Sequence, residues 1–342
     1  MRILVTGASG FAGSLLIPRL RAQGDDVRAL GRDLQRVREA LARTSPSAGS
    51  EGVELVRGDV LTGEGLARAL RGVQVAYYLI HSMERSGTGR GGFAERERMC
   101  AERFAAAAAR AGVERIVYLG GLTPRSGAST ASTAPAASPA PAASTAAAGA
   151  GRARASRHLA SRETVERILL GAVPDSIALR ASIVIGARSR SFRVLVRLVE
   201  RMPVLTLPAW RRFRTQPIDA RDVIEMLAAA AGARLPRRSL DVGGPQALSY
   251  EQMLGAIAEL MLVNRPALRL RVNLTPIAAP LAAAIAGEEP ELVLPLMEGL
   301  QGDLLPADDG AAELLRVRLH SFESAVEHAL REWEQFEPLA AR

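Results

Sequence analysis

The chain has 342 residues, 48% of them hydrophobic, and a formal net charge of +8, enough for one large domain or a domain with a smaller lobe. Its single cysteine, Cys100, excludes an internal disulfide, and no apolar run reaches the about 18–20 residues of a membrane span. With no signal-peptide pattern at the start, a reducing cytoplasmic setting is expected. All 44 basic side chains are arginine, and acidic residues are interspersed among them. The charge therefore reads as solvated surface; no nucleic-acid module is visible and no metal is expected.

The chain opens with an apolar strand, Arg2-Ile3-Leu4-Val5, runs through Thr6-Gly7-Ala8-Ser9-Gly10-Phe11-Ala12-Gly13, and continues into a helix at Leu15 to Gln23. Gly7 suits a sharp turn, Gly10 removes a side chain where a pyrophosphate would approach the backbone, and Gly13 lets the helix pack closely. The helix N-terminus offers N–H groups and a positive dipole end to phosphates. Val27 to Leu30 is a second strand, ending in Gly31-Arg32-Asp33. Arg32 stands where a 2′-phosphate would be met, which favours NADP over NAD, whereas Asp33 either takes a ribose hydroxyl or caps the helix from Leu34 to Arg43. Val53 to Val56 is a third strand leading to Gly58-Asp59-Val60, where Asp59 either accepts from an adenine amino group or is a turn residue.

A short helix, Gly65 to Arg71, precedes a fourth strand, Val73 to Ile80, apolar enough to be buried on both faces. Ligands of parallel sheets sit off the carboxyl ends of the strands. That places Leu79, Ile80, His81, Ser82 and Met83 near the cofactor. A helix from Phe93 to Ala111 and a fifth strand, Val113 to Leu119, lead to Gly120-Gly121-Leu122. Alternating strands and helices with short connections predict an α/β, doubly wound parallel sheet of Rossmann type. The Ala/Ser/Pro-rich tract at 126–151 has neither charge nor large apolar side chains and reads as a disordered loop insertion.

A helix at Arg157 to Leu170 and a sixth strand, Ser176 to Ile185, complete a nucleotide-binding region at 1–186. Residues 187–342 read as a smaller, mainly helical lobe, with 215–242 returning to the sheet. Arg190, Arg193, Arg197 and Arg201 recur on one helical face, for solvent, an anionic substrate or peripheral membrane contact. Asp219 and Ser249, the latter with Gln252, read as helix caps, and short helices follow from Pro266, ending with Phe322 to Trp333.

The glycine-spaced turn, Gly58-Asp59-Val60, the run 77–83, Tyr118 to Leu122 and Gln216-Pro217-Ile218 with Asp222-Val223 together resemble an atypical short-chain dehydrogenase/reductase, in the NmrA-like, NAD(P)H-binding branch often labelled epimerase/dehydratase. The likeness covers roughly residues 1–261. It implies NADP, with NAD possible, held by Thr6, Gly7, Ser9, Gly10, Phe11, Gly13, Arg32, Asp59, Val60, Leu79, Ile80, His81, Gly120, Gly121, Arg162 and Ile183. The superfamily's tyrosine and lysine, four residues apart, fall here on His158 and Arg162, and the chain contains no lysine at all.

Two readings follow. In one, an NADP(H)-dependent oxidoreductase reduces a small carbonyl, enone or quinone, with His158 (or His81) as proton donor, Arg162 on the ribose or an oxyanion, and Ser82, Met83, Leu122, Ile183 and Trp210 lining the pocket. Ser82 and Ser182 are placed to steady a carbonyl or to satisfy backbone. In the other, the chain is a non-catalytic dinucleotide sensor that binds a partner protein. A nucleotide-sugar epimerase or dehydratase is a third reading, disfavoured by the missing tyrosine.

Overall fold

A computed structural model describes residues 1–44, 51–80, 92–122, 157–270, 283–285, 287 and 302–339, the side chains at 93 and 157–160 excepted. The predicted tract at 126–151 and the candidates His81, Ser82 and Met83 lie outside the described residues.

The first half alternates strand and helix as its pattern predicts: β1 (Arg2–Val5), α1 (Phe11–Ala22), β2 (Asp26–Gly31), α2 (Leu34–Thr44), β3 (Glu54–Arg57), α3 (Leu66–Ala69), β4 (Val75–Tyr78), α4 (Phe93–Arg110), β5 (Arg115–Gly121), α5 (Arg157–Ala172) and β6 (Ile177–Ala181). The predicted sixth strand breaks at Ser182, whose N–H bonds the Val242 carbonyl. The chain then leaves the main sheet, and β7 (Val184–Ile185) pairs elsewhere with β10 (Ile218–Asp219). Between those two strands lie α6 (Arg190–Arg201), β8 (Leu205–Leu207), a 3-10 turn (Ala209–Arg212) and β9 (Arg214–Thr215). After them come α7 (Ala220–Gly232), β11 (Arg238–Val242), β12 (Leu248–Ser249), α8 (Tyr250–Leu260), β13 (Ala267–Arg269), α9 (Ala311–Leu315) and α10 (Phe322–Glu334). Ala267–Arg269, expected among short helices, is a strand because it finds a parallel partner in β8.

Seven parallel strands form the main sheet in the order β11-β6-β5-β4-β1-β2-β3. The chain starts in the middle and winds outward both ways, the Rossmann arrangement, whose reversal point between β1 and β4 opens a crevice at the carboxyl ends. Alternation along each strand divides the core. Ile3, Val5, Tyr77, Leu119 and Leu179 face α1, α2 and α7; Leu4, Ala76, Tyr78, Tyr118 and Ala178 face α3, α4 and α5. A third apolar cluster unites α6, α8 and α10 around Phe192, Trp210, Tyr250 and Trp333.

The basic stripe of α6 is divided: Arg190 and Arg201 are exposed, whereas Arg193 and Arg197 turn inward. Arg197 is buried, pairs with Glu200 and Glu337, and lies 5.0 Å from the Trp333 ring, while Arg193 stacks 4.6 Å over the same ring. These arginines fasten α6 to the C-terminal helix. Elsewhere, arginine closes helix ends. The buried Arg28 of β2 donates to the Arg68, Ala69 and Arg71 carbonyls at the end of α3, and Arg115 of β5 donates to Ala230 and Ala231 at the end of α7. A planar guanidinium reaches several carbonyls at once. The caps predicted at Asp219 and Ser249 are present, Ser249 in a capping box with Gln252. Among the described residues no helix is long and apolar enough to cross a membrane, and no group of three or more His, Cys, Asp or Glu is placed to hold a metal.

Helix α1 contains Pro18, which has no N–H to give to the Ser14 carbonyl one turn back. The Thr44 hydroxyl, at the end of α2, stands 2.9 Å from that oxygen and supplies the donor, tying α2 to α1. Thr44→Val is expected to cost about 1–2 kcal/mol, the price of leaving a part-buried carbonyl without its donor. Urea denaturation should show a lower midpoint with an unchanged slope; an unchanged midpoint would mean water serves that carbonyl equally well.

Candidate functional site

The site begins where β1 ends. Gly7 has φ +66°, and a Cβ there would stand 2.5 Å from the Leu79 carbonyl oxygen; a Cβ on Gly13 would stand 2.4 Å from the Gly7 carbonyl oxygen. Only glycine fits at either point. The loops after β1 and β4 therefore touch, backbone on backbone, at the reversal point of the sheet. Thr6 locks them: its buried hydroxyl donates to the Tyr77 carbonyl at 2.9 Å and lies 3.3 Å from the Leu79 N–H. Thr6 thus shapes the loop through its neighbours rather than by presenting its hydroxyl to the crevice.

Gly10 caps α1 with no side-chain hydrogen bond, and the first turn carries no acid. A Cβ at Gly10 would meet only the Gly7 carbonyl oxygen within 4 Å, at 3.0 Å, so the space outside its backbone is open. Ser9 is exposed and Phe11 half-buried. The Phe11 ring lies against Gly186, where a Cβ would be 2.8 Å from its Cζ, so the turn also touches the chain just beyond β7. An uncapped helix start, reached over bare glycine backbone and free of carboxylates, suits a pyrophosphate.

On the adenosine side, Asp33 resolves as a cap. Its Oδ1 accepts from the Gln35 and Arg36 N–H groups at 2.9 and 3.2 Å, while the adjacent Arg32 is exposed at the crevice end of β2. Asp59 is half-buried, and its Oδ1 accepts from the Leu61 N–H at 2.8 Å; Val60 beside it is buried. Cys100, on α4, lies within electrostatic reach of Asp59 and Arg32. Burial first, then Asp59 and Glu97, push its thiol up to about 11.

Opposite, β5 and β6 bring Gly120 alongside Arg180 and Gly121 alongside Ala181. Arg162 of α5 comes to this strand end: a Cβ on Gly121 would be 2.9 Å from its Nη1. Burial lifts the Tyr118 phenol well above its ordinary value, and the Arg162 charge draws it partly back. The backbone of His158 lies in α5, but its side chain is outside the described residues. Leu122 is buried with its N–H on the Ala181 carbonyl, and Ile183 is half-buried. Ser182 pairs with Thr215, Oγ to Oγ1 at 2.8 Å, a structural role rather than a carbonyl contact. Trp210, expected on the pocket wall, sits 6% exposed in the core of the second lobe, edge-on to Tyr250 at 5.8 Å.

The NmrA-like family matches residues 1–134. No curated protein matches the chain in sequence. Solved structures share the fold along its whole length. The UDP-glucuronic acid 4-epimerase of Bacillus cereus, solved with UDP-glucuronic acid and NAD, is 16% identical with TM-score 0.66, covering 98% of this chain and 100% of that one. A nucleoside-diphosphate-sugar epimerase of Staphylococcus aureus is 13% identical with TM-score 0.68, covering 96% and 100%. The UDP-glucose 4-epimerase of Thermotoga maritima, solved with UDP-glucose, is 13% identical with TM-score 0.67, covering 98% and 99%. At these identities the likeness is one of fold.

Some groups that shape the second half of the fold carry no local sequence signal. Glu166 of α5 pairs with Arg180, which also approaches Asp241 of β11 at 3.5 Å. Asp222, buried in the first turn of α7, holds both the backbone N–H and Nδ1 of His320, tying the segment before α10 to α7. Neither pair is predictable without the sheet order.

Two outcomes follow from this packing. Gly13→Ala should destabilise by about 1–3 kcal/mol, because the clash is with backbone, whereas Gly171→Ala, in a helix with nothing within 4 Å, should stabilise by up to about 1 kcal/mol; equal midpoints in chemical denaturation would remove the close-approach argument. The buried Cys100 should resist iodoacetamide at pH 8 in the folded protein and react in urea. Rapid labelling of the folded protein would show the thiol to be open to solvent.

Proposed function

We propose that the chain binds NADP(H) across the β1–β4 crevice and transfers hydride to a small carbonyl, enone or quinone. The observation that carries this reading is the uncapped start of α1, with the Gly10 backbone open to the crevice between two glycines that admit no side chain. The NAD in the Bacillus cereus enzyme's structure, on a shared fold, supports a dinucleotide as the ligand. With the Asp33 carboxylate accepting from the start of α2, the crevice end of β2 offers a cation, Arg32, rather than an acid, which favours a 2′-phosphate over a bare ribose diol.

When bound, the nicotinamide supplies the hydride. The chain's part is alignment, charge and a proton. Arg162 is assigned to the ribose or to the oxygen that gains negative charge, since its guanidinium stands at the end of β5. His158, one turn earlier in α5, is assigned the proton, with His81 the other candidate. A nucleotide-sugar epimerase is the second reading, favoured by a likeness that extends over both lobes. Against it, the tyrosine-and-lysine pair is replaced by His158 and Arg162.

Fluorescence titration should show NADPH binding more tightly than NADH, with the preference lost in Arg32→Ala; equal affinity in the wild type overturns the NADP assignment. NADPH oxidation across a carbonyl and quinone panel should fall about 100-fold in His158→Ala if that residue delivers the proton. Tight binding with no oxidation of any acceptor would instead favour a dinucleotide sensor, and interconversion of UDP-sugars the epimerase.

A further inference from the structure

Helix α4 carries a charged side chain in an apolar interface. Glu97 is 6% exposed, on the face that packs against α5, and the Ser161 hydroxyl, 5% exposed, donates to its Oε2 at 2.6 Å. The surroundings are aromatic. Tyr78 meets Phe104 at 5.1 Å and Tyr118 at 6.2 Å, and the phenols of Tyr78 and Tyr118 and the thiol of Cys100 all feel the Glu97 charge. Tyr78 and Tyr118 stand at or near the carboxyl ends of β4 and β5. Glu97 therefore lies directly behind the crevice, on the side away from α1.

A buried carboxylate is costly to desolvate unless hydrogen bonds and charge complementarity offset the loss, and an apolar residue would fill the same space more cheaply. The Ser161 hydroxyl, in the second turn of α5, supplies part of the compensation. Ser161 also immediately precedes Arg162, whose guanidinium abuts Gly121 at the end of β5.

We propose that Glu97 is a positioning residue. Its carboxylate grips α5 through Ser161 and so fixes the rotation and axial position at which Arg162 meets the nicotinamide end of the crevice. This rests on the reading of α5 as the helix that carries the reacting groups. Glu97 touches neither cofactor nor substrate. Its effect should therefore appear in turnover rather than in adenosine binding.

The test is a double-mutant cycle on the full chain with Glu97→Gln, Ser161→Ala and the pair, followed by kcat for NADPH oxidation with a benzoquinone acceptor, affinity for 2′,5′-ADP, and melting temperature. Each single variant should lose about tenfold in kcat and the pair little more, because the two groups act as one unit; 2′,5′-ADP affinity should be unchanged and Glu97→Asp should recover part of the rate. Multiplicative losses, or a lowered melting temperature with wild-type kcat, overturn the proposal. If the wild type proves to have no turnover, the oxidoreductase reading fails on its own, and amide exchange over 161–165 decides. A rise of about tenfold in Glu97→Gln confined to that segment supports the grip on α5, and unchanged exchange overturns it.

Discussion

The structure depends on three pieces of backbone lying closer together than any side chain would permit. The turn after β1, the start of α1 and the loop after β4 converge at Gly7, Gly13 and the Leu79 carbonyl, and Thr6 clasps the first to the third. The contact does two things at once. It sets the two central strands in register at the point where the sheet reverses its winding, and it leaves the first N–H groups of α1 facing the crevice with no side-chain oxygen to occupy them. Architecture and anion affinity thus come from the same absence of Cβ atoms.

Around that point, charge is divided between the two halves of the sheet. The β2–β3 side carries Arg32, with Asp33 and Asp59 bonding nearby backbone N–H groups; the β5–β6 side carries Arg162 beside Gly121. Helices α4 and α5 support this second side through a buried polar contact amid aromatic rings. The second lobe joins through Phe11 on Gly186 and through β11, which returns to the main sheet beside β6.

The first half of the fold was legible because each of its signals is local. An apolar strand, a glycine at a fixed offset and a capped helix all act within about a dozen residues, and the parallel alternation then leaves few topologies. What escaped depends on distant partners. Ser176 to Ile185 reads as one strand, yet its pairing in the main sheet stops at Ala181, and Val184–Ile185 finds a different partner in Ile218–Asp219. Ala267–Arg269 becomes a strand only because Leu205–Leu207 lies alongside. The arginine stripe of α6 has the periodicity of a surface, but Trp333 and Glu337, more than a hundred residues on, cover Arg193 and Arg197 within it. Trp210, expected on the pocket wall, belongs to a separate core. At the site itself, Asp33 and Asp59 read from the sequence as turn or ligand residues, and each spends its Oδ1 on backbone N–H groups within three residues.

Arginine at the helix ends has one consequence at high pH. A guanidinium stays charged at any pH a protein survives, so carbonyls gathered at a helix end by arginine stay gathered where lysine would let go. The limit passes to the phenols. All four tyrosines, Tyr77, Tyr78, Tyr118 and Tyr250, are buried with ionisation pushed above the ordinary value, burial being the largest cause in each. Their folded form is the neutral one, so their contribution is whole below the unfolded value of about 10 and drains away as the pH climbs past it. Alkaline unfolding of this molecule is a matter of its aromatic interior taking on charge, with its basic side chains still in place.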